Sequence, residues 1–107
     1  MYKLEFYVPE NYCEEVKSAV FAAGAGTQGN YCQCCWQVLG DGQFLPMQGS
    51  KPFVGKVGVP EKVREMKVEM ICDDEFIHDA VAALKKAHPY EEPAYSVLKI
   101  SDIDVIL

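Results

Sequence analysis

One short stretch, residues 88–95, carries an imidazole, a phenol and two carboxylates between two prolines: His88-Pro89-Tyr90-Glu91-Glu92-Pro93-Ala94-Tyr95. Proline fixes its own φ and keeps the preceding residue out of the helical region, so this backbone is stiff. Imidazole beside carboxylate could hold a divalent metal or a cationic ligand, or form an acid–base pair. The alternative is a plain helix-to-strand corner with Tyr90 at an interface and both glutamates solvated or paired across subunits. We favour that alternative over catalysis and keep His88, Tyr90, Glu91 and Glu92 as candidate ligand-binding residues.

A second group with possible chemistry is the thiol cluster Cys32-Gln33-Cys34-Cys35. Thiolates favour Cu(I) and zinc. In the strand expected here, Cys32 and Cys34 face one way and Cys35 the other, whereas a closed zinc site needs four ligands. A trimer could bring three copies together, and the alternative is that these are small buried cysteines. Cys34 and His88 are therefore the candidate ligands for a divalent or soft metal ion, the only cofactor that the sequence suggests.

Other motifs of catalysis or phosphate binding are weak. The serines and Thr27 lie in no nucleophile elbow or triad context. The glycine-rich loop at 24–30 follows a helix, and it lacks the lysine of a P-loop. Its glycines are explained by backbone conformations with positive φ. The sequence thus favours a non-catalytic protein over an enzyme.

The overall composition limits the class of partner. The chain has 107 residues, the size of one domain, and a net charge of −6. Such a charge argues against nucleic acid or an anionic membrane as the main partner, since both require a basic surface. No signal peptide is visible, and no apolar run approaches the roughly 20 residues of a membrane span. Five cysteines, an odd number with three clustered, indicate free thiols in a reducing compartment, so we expect a cytoplasmic protein.

The hydrophobic pattern predicts which elements position these residues. Apolar residues alternate in strands and recur at helical spacing in helices. The first half is predicted as strand 2–8, helix 11–23 capped by Asn11, strand 31–39, a turn at 40–42 and a short returning strand at 43–46. An irregular segment at 47–60, docked by Phe53 and Val54, follows. The second half is predicted as strand 63–72, helix 75–87 capped by Asp73 or Asp74, strand 94–100 and an apolar tail at 101–107.

This order predicts an α+β, ferredoxin-like βαββαβ sandwich with an extra short hairpin and an irregular loop around 47–60. Both helices should cover one face of the antiparallel sheet. The other face should carry Tyr7, Tyr31, Cys35 and Ile71, a weakly polar set that suggests oligomerisation through that face. We expect residues 1–107 to form a single domain.

Several motifs also carry a family resemblance. They are Met1-Tyr2-Lys3-Leu4, Tyr7-Val8-Pro9-Glu10, Ala23-Gly24-Ala25-Gly26, Gly29-Asn30-Tyr31 with Cys34, Gly42-Gln43-Phe44, Pro52-Phe53-Val54-Gly55 and residues 87–95. Their order and spacing over residues 1–100 resemble the small domain inserted into bacterial Nif3-like dinuclear-metal proteins. That domain is similar to CutA and the PII signalling proteins, and CutA has a His-Pro-Tyr-Glu-type stretch like residues 88–91. This sequence departs from the pattern at Cys32 and Cys35.

The resemblance implies a trimer with its sheets around a central axis. CutA is associated with divalent metal tolerance, and PII proteins bind small effectors in clefts between subunits. We therefore expect a homotrimeric module that binds a metal ion or small ligand, or regulates a partner protein. Its inter-subunit site would be lined by His88, Tyr90, Glu91, Glu92 and the loop residues Gly26, Gly29, Asn30 and Tyr31.

The alternative implied by the resemblance is an enzyme, or an enzyme subunit, related to the Nif3-like hydrolases. The two-metal centre of that family lies in the flanking domain and uses several histidines and acidic residues. This chain has only His78 and His88, so another chain would have to supply that half.

Overall fold

The computed structural model describes residues 1–101 as four strands and two helices. The strands are β1 (Tyr2–Pro9), β2 (Trp36–Phe44), β3 (Glu61–Cys72) and β4 (Tyr95–Lys99); the helices are α1 (Cys13–Ala22) and α2 (Ile77–Ala87). The strands form one antiparallel sheet in the order β2-β3-β1-β4. The predicted ferredoxin-like α+β sandwich is confirmed. The predicted tail lies outside the described residues except for Ser101.

The core lies between the two helices and one face of the sheet. Alternate residues of β1 and β3 point into it, because successive side chains of a strand face opposite sides. The helices contribute residues at helical spacing. The fully or almost fully buried members include Leu4, Phe6, Val8, Val16, Val20, Val68, Met70, Ala80 and Leu84.

The prediction for the second strand is wrong at both ends. Gln33 has φ = 58°, a left-handed conformation that interrupts a strand, so β2 begins only at Trp36. The predicted turn at 40–42 lies inside β2, and 43–46 is not a separate returning strand. Register decides this, because β3 is 12 residues long and pairs with β2 from Trp36↔Glu69 to Phe44↔Glu61. The extra short hairpin does not form.

In its place, β2 and β3 make one long two-stranded arm, which gives the molecule its extents of 55 × 25 × 22 Å. Residues 45–60 connect the two strands without helix or strand, as predicted for 47–60. The Gly58 N–H donates to the Pro46 carbonyl at 2.8 Å and closes this connection. The connection is a loop at the tip of the arm.

The predicted helix caps do not form. Each helix is preceded by a single 3-10 turn, Glu10–Tyr12 or Asp74–Phe76, and neither α1 nor α2 has a side-chain cap hydrogen bond. The Asp74 carboxylate instead pairs with the amino group of Met1 and, at 3.3 Å, with Lys99. An acidic side chain ahead of α2 therefore ties the start of that helix to the beginning of β1 and the end of the edge strand β4.

The face of the sheet opposite the helices, called here the open face, is not covered by either helix. Its side chains alternate with the core residues, and they include Trp36, Val38, Ile71, Leu98 and Tyr7 around a cluster of charges. Within that cluster, Glu69 lies 3.1 Å from Lys3 and 3.3 Å from Lys67. Of the residues predicted there, Tyr31 and Cys35 lie outside the strands, whereas Tyr7 and Ile71 are confirmed.

No helix within residues 1–101 combines the length and the apolar character that a bilayer crossing demands.

Two glycines with almost the same φ permit a matched test of packing. Gly26 (φ +83°) is buried, and an added Cβ would lie 2.7 Å from the Phe21 ring and 3.0 Å from the Cys34 carbonyl oxygen. Gly58 (φ +82°) has open space at that position. We expect Gly58→Ala to cost about 1–2 kcal/mol from the left-handed backbone. Gly26→Ala should cost about 1–3 kcal/mol more, because overpacking adds to the same strain. Urea unfolding measures both values, and equal losses would contradict the packing argument.

Candidate ligand-binding site

A cavity of about 780 Å³ lies between the tip of the arm and the corner at residues 88–94. We call it the main cavity. The end of β1, the last residues of β2 and the loop that follows β2 surround it. Its lining residues include Tyr7, Gln43, Phe44, Met47, Phe53, Glu65, Tyr90, Glu91 and Glu92. Its volume lies within the roughly 300–1,000 Å³ usual for small-molecule sites.

His88 holds the corner against the sheet. It ends α2, and its side chain is 5% exposed. The Tyr90 N–H donates to Nδ1 at 3.1 Å, so Nε2 carries the proton and donates to the Tyr7 carbonyl at 2.7 Å. Burial lowers the pKa of His88, and the bond to the Tyr7 carbonyl partly opposes that shift. His88 is therefore a neutral residue that orients the corner from behind the cavity.

Aromatic rings join the corner to the arm. The Tyr90 ring centroid lies 5.8 Å from that of Phe44 and 6.4 Å from that of Phe53. Phe53 also contacts Tyr12 edge-on at 5.5 Å. The Lys51 N–H donates to Oε1 of Glu91 at 3.1 Å, which adds a polar contact. Of the two residues predicted to dock the irregular segment, Phe53 is confirmed, whereas Val54 is 37% exposed.

The charges on the cavity wall all have one sign. Glu65, Glu91 and Glu92 line it, and no lysine, arginine or histidine of the described chain does. Burial raises the pKa of the Glu65 carboxyl. The Tyr90 hydroxyl is shielded from solvent and lies beside the Glu65 carboxylate, so each group shifts the pKa of the other. Burial first, and then the charges of Glu65 and Glu61, raise the pKa of Tyr90.

The predicted glycine loop is at the other end of the sheet. The Gly26 N–H donates to the Ile71 carbonyl, and the Cys34 N–H donates to the Gly26 carbonyl, both at 2.8 Å. Ile71 pairs with Lys3, whereas the main cavity adjoins Tyr7, four residues further along β1 and thus about 13 Å away. One chain therefore does not bring Gly26, Gly29, Asn30 and Tyr31 to the residues of the corner. Only neighbouring chains could do so.

Cys32, Cys34 and Cys35 precede β2, so the strand geometry that was predicted to point Cys35 away from the other two does not apply to them. All five cysteines are free; Cys32 and Cys35 are exposed and Cys34 is half-buried, so burial does not explain this cluster. Cys34 and Cys35 line a shallow groove of about 300 Å³ beside Trp36. Nowhere in residues 1–101 do three or more histidine, cysteine or acidic side chains come close enough together to hold one metal ion. A metal at His88 would also have to replace one of its two hydrogen bonds, and the pairing of Cys34 with His88 stays a prediction.

Three cavity residues, Glu65, Gln43 and Phe44, were not predicted from the sequence. Their convergence depends on the register of the arm, which places Glu65 opposite Gly40 and beside Gly42. A signal was present, because a glycine inside a strand often marks a close approach of another group. An added Cβ at Gly42 would collide with the Glu65 carboxylate.

The fold places the protein in a recognised structural class. It matches the CutA protein of Archaeoglobus fulgidus with a TM-score of 0.67 and 14% identity, over 95% of this chain and 86% of that one. CutA from Xylella fastidiosa matches with a TM-score of 0.67 and 16% identity, over 94% and 84%. At these identities the likeness shows a CutA-like fold alone.

Sequence identifies the family more closely. A GTP cyclohydrolase 1 type 2 homolog of Mycobacterium tuberculosis is 44% identical over 98 residues, which cover 92% of this chain and 26% of that protein. A Bacillus cereus protein related to NIF3 matches in structure with a TM-score of 0.81 and 36% identity, over 94% of this chain and 26% of that one. No protein-family profile matches. The chain belongs with the Nif3-like proteins, as a homologue of a region that makes up about a quarter of their length.

Proposed function

We propose that this chain is a non-catalytic, homotrimeric module that binds a small ligand in the main cavity and transmits its occupancy to a partner protein or domain. The observation that carries the proposal is the main cavity itself, whose wall combines the neighbouring rings of Phe44, Phe53 and Tyr90 with a half-buried carboxylate. Large apolar pockets with a few polar groups are the usual form of small-molecule sites. The CutA-like fold and the apolar residues of the open face support the trimer.

A ligand screen by thermal shift tests the cavity. A compound that binds the folded chain at 100 times its Kd adds about 2.7 kcal/mol of stability, which raises the melting temperature. We expect such compounds to stabilise the wild type and to lose most of that effect in Phe53→Ala, because Phe53 joins the arm to the corner. Val59→Ala, at an exposed residue outside the cavity wall, is the control. Stabilisation that survives Phe53→Ala would place the ligand elsewhere.

A second candidate function follows from the 44% identity to a GTP cyclohydrolase 1 type 2 homolog. On this proposal the chain is a regulatory part of an enzyme assembly related to the Nif3-like hydrolases. Because no three potential ligands converge in residues 1–101, a dinuclear centre would have to lie in a separate domain. Affinity purification followed by metal analysis separates the candidates. Two metals bound tightly per isolated chain would contradict the first, and a co-purifying metal-bearing protein would support the second.

A further inference from the structure

We propose that the main cavity selects an organic cation, an ammonium or guanidinium group carried on an apolar or aromatic body. The carboxylate of Glu65 would receive the cation, and the rings of Phe44, Phe53 and Tyr90 would hold the body. This inference rests on the proposed function, because it takes the same cavity as the ligand site.

The sign of the charge on the wall is the first argument. The three ionisable carboxylates Glu65, Glu91 and Glu92 line the cavity, and no basic residue of the described chain accompanies them. A phosphate or carboxylate group would meet like charges there, whereas proteins hold such anions with arginine, lysine or backbone N–H groups. Field lines from one sign of charge are also focused in a cleft with low-dielectric walls. The cavity therefore disfavours nucleotides and organic acids.

Glu65 supplies the second argument, because it lacks a cationic partner. It is half-buried, and within residues 1–101 it forms no ion pair. Glu69 is on the same face of β3 and shows the contrast, since Lys3 and Lys67 lie 3.1 and 3.3 Å from its carboxylate. A carboxylate that is partly removed from water without a cation is costly, and a bound cation removes that cost. Burial raises the pKa of Glu65 accordingly, although its polar neighbour, the Tyr90 hydroxyl, lowers that pKa in part.

The aromatic rings supply the third argument. The ring centroids of Phe44 and Phe53 lie 5.8 and 6.4 Å from that of Tyr90 along the wall. Aromatic faces attract cations through their quadrupole and also bury apolar surface. A bare divalent ion would not use them, and it prefers six or more oxygen ligands, or octahedral geometry with water. No such convergence of acidic groups exists among the described residues. The volume of about 780 Å³ also suits an organic molecule better than an ion.

A pair of probes with one skeleton and opposite charge tests the inference directly. Phenylbutylamine and phenylbutyrate are titrated into the full chain at neutral pH, with binding followed by calorimetry and by NMR shifts of the corner residues. We expect the amine to bind at least tenfold more tightly than the acid. Glu65→Gln keeps the size of the side chain and should weaken the amine at least tenfold. NMR spectra establish that this variant is folded.

Two strand glycines give a second, independent set of variants. Alanine at Gly42 would displace the Glu65 carboxylate, which is the flexible end of a side chain, whereas alanine at Gly40 meets nothing within 4 Å. Gly42→Ala should therefore weaken the amine several-fold with little loss of stability, and Gly40→Ala should leave binding unchanged. Equal weakening by both variants would contradict the role of Glu65.

The outcomes separate this inference from the proposed function. Equal or tighter binding of phenylbutyrate, or an effect of Glu65→Gln below twofold, overturns the cation inference. Competition of Zn²⁺ or Mg²⁺ for the same site would overturn it in favour of a metal. If neither probe binds while an uncharged or acidic compound from the thermal screen does, the cation inference fails and the ligand-binding function stands. If nothing from that screen binds in the cavity, both fail.

Discussion

Replacing His88 with alanine is expected to lower the free energy of unfolding by about 3 kcal/mol or more. The ring is almost completely buried, and it joins the end of α2 to β1 through the Tyr7 carbonyl and to its own corner through the Tyr90 N–H. Truncation removes both hydrogen bonds, leaves two polar groups without partners and opens a void. Each unsatisfied buried group alone costs about 1–3 kcal/mol.

His78 offers a matched control, because it is the only other histidine and is exposed on α2. We expect His78→Ala to change the free energy of unfolding by less than about 0.5 kcal/mol. Urea unfolding with a shared m-value measures both variants. A loss for His88→Ala no larger than that for His78→Ala would contradict the structural role of the ring.

The same residue predicts a pH dependence whose sign follows from its pKa. Burial holds the pKa of His88 in the folded chain below its ordinary value of 6.5. As the pH falls, His88 is therefore protonated in the unfolded chain before it is protonated in the folded chain. The contribution of His88 is therefore complete above about pH 6.5 and decreases as the pH falls below it. The stability difference between wild type and His88→Ala should shrink from pH 7 to about pH 5. A difference that stays constant would show that the folded ring titrates normally.

Acidic substitutions on the open face are expected to dissociate the proposed trimer. Val38 and Leu98 are 43% and 47% exposed in the single chain and flank the paired charges of Lys3, Glu69 and Lys67. In a trimer built on this face they would be buried, and an aspartate there would carry an unpaired charge out of water at a cost of several kcal/mol. We expect each of Val38→Asp and Leu98→Asp to weaken association by more than about a hundredfold.

Light scattering coupled to gel filtration measures this effect. The wild type should elute with three times the 12.0 kDa chain mass, and the variants should approach the mass of one chain. Ser18→Asp adds the same charge at an exposed position of α1, on the opposite side of the sheet, and should stay trimeric. A wild type that elutes as a 12.0 kDa monomer would refute the trimer, and variants that remain trimeric would move the interface away from the open face.

The alternation of β1 and β3 and the helical spacing of α2 were sufficient to predict the fold class and most of the core. These signals are local, because they need only the geometry of a strand or a helix. Leu4, Phe6 and Val8 alternate with polar residues, and Ile77, Ala80 and Leu84 repeat at helical spacing. Pro89 and the residues around it likewise fixed the corner before the last strand.

The second strand shows why local signals failed elsewhere. Gly40 and Gly42 have the composition of a turn, yet pairing with the long β3 provides hydrogen bonds that carry β2 through both. Propensity is a weak preference that such tertiary pairing overrides. The cap predicted at Asp74 failed for a similar reason, since its carboxylate pairs with the cationic groups of Met1 and Lys99.

Some properties of the stretch at 88–95 follow from its sequence alone, and others depend on the tertiary structure. Its sequence alone determined that an imidazole, a phenol and two carboxylates would be held on a stiff corner, because proline restricts the backbone wherever it occurs. Only the tertiary structure decided their roles. His88 is buried against β1, where it supports the corner as a neutral residue. The register of the arm brings Glu65 and Phe44 to Tyr90. These contacts join positions up to 81 residues apart, so no local pattern encodes them.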